Sequence, residues 1–314
     1  MSDDVRLNPP DSDVEVEPAP GIDKEIEERE ARRRSASLWS DAWRQLRRRP
    51  IFLISAVLII ILITMAIVPQ LFTSKDPRDC PLVDSLLTPS SEHWFGTDLQ
   101  GCDYYARTIY GTRVSITIGI IVTVFATLIA LVFGSMAGFF GGKTDSVIGR
   151  ITDIWFAIPF ILGGIVILTL FGQRGVFQVS LVLIVLGWAT LLRLVRSAVL
   201  SVKQAEYVDA ARALGASNFR IIRRHILPNS LAPVIVYATI TVGVIIAAEA
   251  ALSFLNVGLQ LPAISWGLMI SNAQNRILSA PHLLFFPGLF LSVTVFSFIL
   301  MGDALRDALD PKLR

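Results

Sequence analysis

The sequence predicts an all-α membrane protein with six transmembrane helices, and two observations carry that prediction. Of the 314 residues, 53% are hydrophobic, with a mean hydropathy of +0.59. These apolar residues also lie in long continuous runs rather than at the helical or strand period of a half-buried surface. A hydrocarbon core of about 30 Å is crossed by roughly 20 apolar helical residues, because the backbone must satisfy its own polar groups there. Continuous rather than alternating runs argue against a β-barrel.

The six expected spans are 51–72, 114–140, 154–171, 176–192, 231–255 and 283–301. Only "GQRG" separates the third from the fourth, so the pair reads as a tight helical hairpin, and Pro159, Gly163 and Gly164 are placed to bend or closely pack the third span. Around these spans the chain divides into an N-terminal extension (1–50), the first span (51–72), an outer loop (73–112), a five-helix core (113–302) with an inner loop at about 200–230, and a tail (303–314). Residues 1–34 read as disordered. In "SLWSDAWRQLRRR", Trp39, Trp43 and Leu46 fall at i, i+4 and i+7 beside arginines, which suits a short helix on an anionic leaflet or a solvated positive anchor. An apolar run that begins only after fifty polar residues is not a removable signal peptide.

Orientation follows from Lys and Arg. With the N-terminus inside, 22 of the 28 fall on inner segments, leaving Lys75, Arg78, Arg107, Arg113, Arg174 and Arg276 outside. The positive-inside rule puts both termini and the 200–230 loop in the cytoplasm of a multi-pass membrane protein. The net charge of +2 points to no nucleic acid. Cys80 and Cys102, the only cysteines, share the outer loop and form a reasonable disulfide on the oxidising side, the alternative being two free thiols.

Three chemistries are tested and set aside. "GFFGGKTD" ends like a phosphate-binding loop, but Ala137 stands where the leading glycine belongs, and an apolar span precedes it instead of a strand, so it reads as a Gly-rich inner turn. His93, His225 and His282 are scattered over separate loops, without ligand spacing to one another or to cysteine. No GxSxG elbow occurs for an intramembrane hydrolase. No catalytic, cofactor or metal site is expected in this chain.

The inner loop is longer than a connection requires. In "EYVDAARALGASNFRIIRRHILPN", Tyr207, Ala210, Ala211 and Leu214 recur at helical spacing as a narrow apolar face, and Gly215 stands where that helix stops. Ser217 or Asn218 caps a second helix lined by Phe219, Ile222 and Ile226, with Arg220, Arg223 and Arg224 elsewhere and Pro228 ending it. The product is a helix-turn-helix knob, either packed on itself or offered to a groove in another protein.

That stretch resembles the EAA loop of ABC-importer permeases, on Asp209, Ala210, Ala211, Gly215, Leu227 and Pro228. Asp209 replaces the pattern's Glu, and His225 replaces Ile as in the peptide-type branch. "HWFGTDLQGCDYYARTIYGTRVSITIG", "EAALSFLNVGLQLPAISWG" and "GDALRDALDPKLR" resemble the same C-subunit type of dipeptide and oligopeptide permease, Cys102 standing where that pattern has Arg. The resemblance runs from about Leu46 to the C-terminus and implies the type I importer permease fold with a cytoplasmic coupling helix. It also implies a location in the bacterial inner membrane, a sister permease subunit, two cytosolic ATPases that bind ATP and Mg, an external solute-binding protein and surrounding lipid. The implied coupling residues are Glu206, Tyr207, Asp209, Ala210, Ala211, Arg212, Leu214, Gly215, Arg220 and Pro228, with Arg223 also placed to pair with the ATPase. Glu249, a carboxylate deep in a span, is a path or gate residue or else a helix-to-helix hydrogen bond. The implied cargo is a di- or oligopeptide; nickel, oligosaccharide and ion-coupled transport are the alternatives.

Overall fold

The computed structural model describes residues 43–309, so the expectations for 1–34, Trp39 and the last tail residues lie outside the described residues. Ten helices are named here: α1 (Pro50–Ile67), α2 (Tyr104–Phe140), α3 (Gly142–Phe156), α4 (Phe160–Thr169), α5 (Val176–Lys203), α6 (Glu206–Ala213), α7 (Asn218–Ile221), α8 (Leu227–Phe254), α9 (Trp266–Ala273) and α10 (His282–Leu309). Five rods are long and apolar enough to cross a membrane, α7 and α8 counting as one, and the bent pair α3 and α4 makes a sixth.

The spans differ from expectation where local chemistry intervenes. α1 stops at Ile67, short of Phe72, because Pro69 cannot extend it and opens a 3₁₀ turn. α2 starts ten residues before the expected Val114, since Asp103 caps it by accepting the Ala106 N–H at 2.9 Å. The third span is two helices meeting at 82°, with Pro159 as the N-cap of α4. The break falls at Pro159, and the glycines pack closely: a Cβ on Gly163 would lie 2.7 Å from Ile158, and one on Gly164 would lie 3.1 Å from Leu252.

Pro228 does not end a helix, as the sequence reading held. The rod runs from Asn218 to Phe254 through a π turn at Ile222–Ile226, and Pro228 sits in the first turn of α8, where its missing N–H is tolerated. Phe219 is 72% exposed and Ile221 is buried in its place, while Ile226, five residues on across that π turn, is buried as expected. α10 continues to Leu309, through most of the expected tail.

Glycines bring α2 and α5 together. Cβ atoms on Gly134 and Gly138 would lie 2.9 Å from Val195 and Val199, so the two helices nearly touch backbones there, as small-residue spacing allows. α8 fills the side against α2, α5 and α10, and α1 lies at the periphery on α2 and α10. The bundle has two distinct ends. At one, Leu46 and Phe52 pack with Ala304 and Ala308, and Arg49 bonds Asp307 at 2.5 Å. Leu46 therefore faces the chain's own last helix rather than lipid. The same end holds Phe139, Lys203 and α6. At the other, Arg113 reaches Ala66 and Ile67 O, and the Tyr104 hydroxyl donates to Leu283 O at 2.6 Å.

Candidate functional site

Residues 203–226 form the knob. α6 turns its Val208 and Ala211 inward onto Val195, Val199, Ile221 and Ile226, a cluster continuous with the α2–α5 contact. Ala211 is 9% exposed, so it holds α6 to the body instead of joining the outward face assigned to it. Tyr207, Ala210 and Leu214 do face out, Leu214 at 87% exposed, and Glu206, Asp209, Arg212 and Arg220 surround them on the surface. Pro228 lies beyond the knob, within the next rod.

Gly215 closes the helix with φ +76°, and the Gly215 and Ala216 N–H groups return to Arg212 O (2.9 Å) and Ala211 O (3.1 Å). This pairing satisfies helix-end carbonyls, and its left-handed residue is at ease only as glycine or asparagine. Ser217 Oγ then accepts the Arg220 N–H and starts the next turn. Lys203 Nζ donates to Phe139 O at 2.6 Å, while the Arg212 guanidinium stands 5.8 Å from the Phe139 ring. The knob is thus fastened to the end of α2. Sequence reading missed Val208 and Ile221; the available signal was their large aliphatic side chains amid charged neighbours.

Glu249 is fully buried. Its Oε1 accepts hydrogen bonds from Ser253 (2.8 Å) and Ser265 (3.1 Å), and Ser265 also caps α9. The next residue, Trp266, is fully buried and donates from Nε1 to Thr108 O at 3.0 Å. Glu249 therefore ties α8 to the short helix α9, which lies between the expected spans 231–255 and 283–301.

The outer loop is a compact cap. Cys80 and Cys102 are joined by a disulfide. Asp98 binds Arg107, and Asp103 Oδ2 receives Lys75 Nζ at 2.8 Å and meets His93 Nδ1 at 2.9 Å. Burial alone would raise the Asp103 carboxyl; the bonds from Lys75, the Ala106 N–H and His93 outweigh it and hold the group below its ordinary value. The expected turn at "GGK" shrinks to Gly141, the one residue between α2 and α3; it and Gly142, which opens α3, are at positive φ, and Lys143 is already helical. Among the described residues, no three His, Cys, Asp or Glu side chains are grouped to hold a metal.

With that geometry in place, residues 130–314 match the family model described as a binding-protein-dependent transport system inner membrane component, which is more than half of the chain. The chain belongs to this family. Residues 37–89 match a second model, the N-terminal transmembrane domain of oligopeptide transport permease C. The permease is 40% identical to the oligopeptide transport system permease protein OppC of Bacillus subtilis, over 90% of this chain and 92% of that protein. It is 39% identical to the dipeptide transport system permease protein DppC of the same organism, over 93% and 91%. It is 36% identical to the glutathione transport system permease protein GsiD of Pectobacterium atrosepticum, over 88% and 92%. Among solved structures, a MetNI methionine ABC transporter chain aligns with a TM-score of 0.55 at 22% identity, covering 64% of this chain and 95% of that one, a likeness of fold. The permease is therefore a multi-pass transmembrane subunit of a peptide-type ABC importer and forms part of a translocation pathway.

Proposed function

We propose that this permease supplies half of the path of an ATP-driven importer for di- or oligopeptides, working with a sister permease, two cytosolic ATPases and an external solute-binding protein. The single observation that carries the coupling role is the two-sided α6. Val208 and Ala211 lock it to the α2–α5 contact, while Tyr207, Ala210 and Leu214 remain uncovered around a fixed turn. An apolar face held rigidly outside the bundle suits a groove on another protein, and displacement of that groove would reach the spans through Lys203 and Phe139. The ATPase thus docks on Glu206, Tyr207, Asp209, Ala210, Arg212, Leu214 and Arg220, with Gly215 fixing the turn. The cation-rich end that carries the knob faces the cytoplasm, as do both termini.

Peptide cargo is supported by the named activities of the relatives at 36–40% identity. The test is purification of the tagged chain from its native membrane. A nucleotide-hydrolysing partner should be retained by the wild type and lost from Leu214→Asp, while Leu278→Asp at the opposite end retains it. Equal retention by all three would overturn the assignment of the docking face, and absence of any ATPase would overturn the coupling itself.

A further inference from the structure

The end of the bundle away from the knob is poor in cations, yet half of those it has share one cavity. Lys75, Arg78 and Arg113 line a space of about 720 Å³ together with Tyr110, Val114 and Ile264; the other cations at this end are Arg107, Arg174 and Arg276. Lys75 is already matched by Asp103. Arg113 spends Nε and Nη2 on Ala66 O (2.8 Å) and Ile67 O (3.0 Å), the last carbonyls of α1, which leaves Nη1 without a partner among the described residues. The Arg78 guanidinium and the Tyr110 hydroxyl have no partner among the described residues. Asp76 is the one carboxylate on the wall, so with Arg78 and Arg113 it leaves an excess positive charge.

Position decides what that charge is for. Arg113 marks the level at which the apolar run of α1 ends, and Val114 beside it begins the apolar run of α2. α1 is peripheral, packed on α2 and α10, with Ile54, Val57 and Ile60 uncovered on its far face. The cavity therefore lies at the level of the membrane-water boundary, where α1 ends, α2 turns apolar and the 262–264 segment passes.

We infer that this cavity holds the anionic headgroup of a phospholipid from the adjoining leaflet. Two guanidinium groups and a phenol hydroxyl on one wall can donate to phosphate oxygens, a role arginine suits better than lysine. Val114 and Ile264 receive the glycerol and the start of the acyl chains, and one net positive charge selects a headgroup with one net negative charge. The cavity stands whether or not the chain carries peptides.

Native mass spectrometry of the purified, detergent-solubilised full chain tests the site, using equal amounts of phosphatidylglycerol and phosphatidylcholine with identical acyl chains. The wild type should retain phosphatidylglycerol about tenfold over phosphatidylcholine, the effect of roughly one charge-assisted hydrogen bond. Arg78→Ala should lose that preference, Asp76→Asn should strengthen it, and Arg276→Ala should leave it unchanged. Because the Arg78 side chain has no partner among the described residues, its removal should leave the fold intact, checked by an unchanged melting temperature. Equal retention of both lipids by the wild type, or undiminished preference in Arg78→Ala, would overturn the site. Displacement of bound phosphatidylglycerol by glycerol phosphate or by a tripeptide would overturn the lipid and give the cavity to a soluble anion.

Discussion

Arg196 of α5 grips Asp145 of α3 through both carboxylate oxygens, with Nε and Nη2 as donors. The pair lies in the knob-end half of the bundle, where α3 meets α5. It matters because the third crossing is broken at Pro159, so α3 needs attachments of its own. Arg193 adds a weaker one, bonding Asp153 at 2.7 Å and stacking 3.9 Å from the Phe156 ring.

Asp145→Asn or Arg196→Ala should therefore loosen α3 from α5. Both groups are partly exposed, so solvent limits the pair to about 1 kcal/mol despite its two-pronged geometry. A double-mutant cycle read by thermal unfolding should show that coupling, and the exchanged pair Asp145→Arg with Arg196→Asp should recover part of it. Strict additivity of the single changes would mean the clasp contributes nothing.

The α2–α5 contact gives a larger effect. A side chain at Gly138 meets Val199 at 2.9 Å and Arg196 O at 3.0 Å, and neither backbone can withdraw without dragging the knob. Gly138→Val should cost about 1–3 kcal/mol through overpacking. Gly172→Val, with nothing within 4 Å, should cost far less. Equal melting temperatures for the two variants would contradict so close an approach.

The crossings were legible because their signal is the sum of about twenty apolar residues, which no local detail overturns. The ends were less so. Asp103 starts α2 early through a cap whose strength depends on folding of the outer loop around Lys75 and His93, contacts of long sequence separation. The π turn at Ile222–Ile226 shifts which apolar side chains face inward, exchanging Phe219 for Ile221, and no fixed helical period anticipates that. On the knob, the spacing of Tyr207, Ala210 and Leu214 was readable. That Ala211 turns inward with Val208 was not, because small residues suit either surface.

Glu249 separates two roles by experiment. Glu249→Gln keeps an oxygen to accept from Ser253 and Ser265, so folding should change little. Glu249→Leu strands both hydroxyls in a dry interior and should cost about 2 kcal/mol or more. Unfolding in detergent reads the difference, and peptide uptake by the Gln variant should stay near wild type. Loss of uptake in a Gln variant of normal stability would instead give the charge itself a role in the path.

The outer cap should weaken in acid. Asp103 is held below its ordinary carboxylate value when folded, so its ionised bonds to Lys75 and the Ala106 N–H stabilise the cap above the unfolded value of 3.8. That stability is lost as pH falls through the lower folded value. At neutral pH, Asp103→Asn should cost about 2 kcal/mol, typical of hydrogen bonds to a charged group. The gap between wild type and variant should narrow as pH drops below about 4. A gap constant from pH 6 to pH 3 would show that Asp103 acts through shape alone.

Gly215 offers the sharpest test of the knob. Its φ of +76° lies in the left-handed region, yet a Cβ there would meet nothing within 4 Å, so any penalty is one of backbone conformation and not of crowding. A β-branched residue should cost about 1–3 kcal/mol locally, enough to unwind the end of α6 and turn Leu214 away. Gly215→Val should then insert in the membrane normally while losing ATPase retention and uptake. Gly215→Asn, which tolerates the same conformation, should recover most of both. If Val and Asn fail alike, the position is needed for its bare surface rather than its φ. If both transport normally, the turn plays no part in transmitting force.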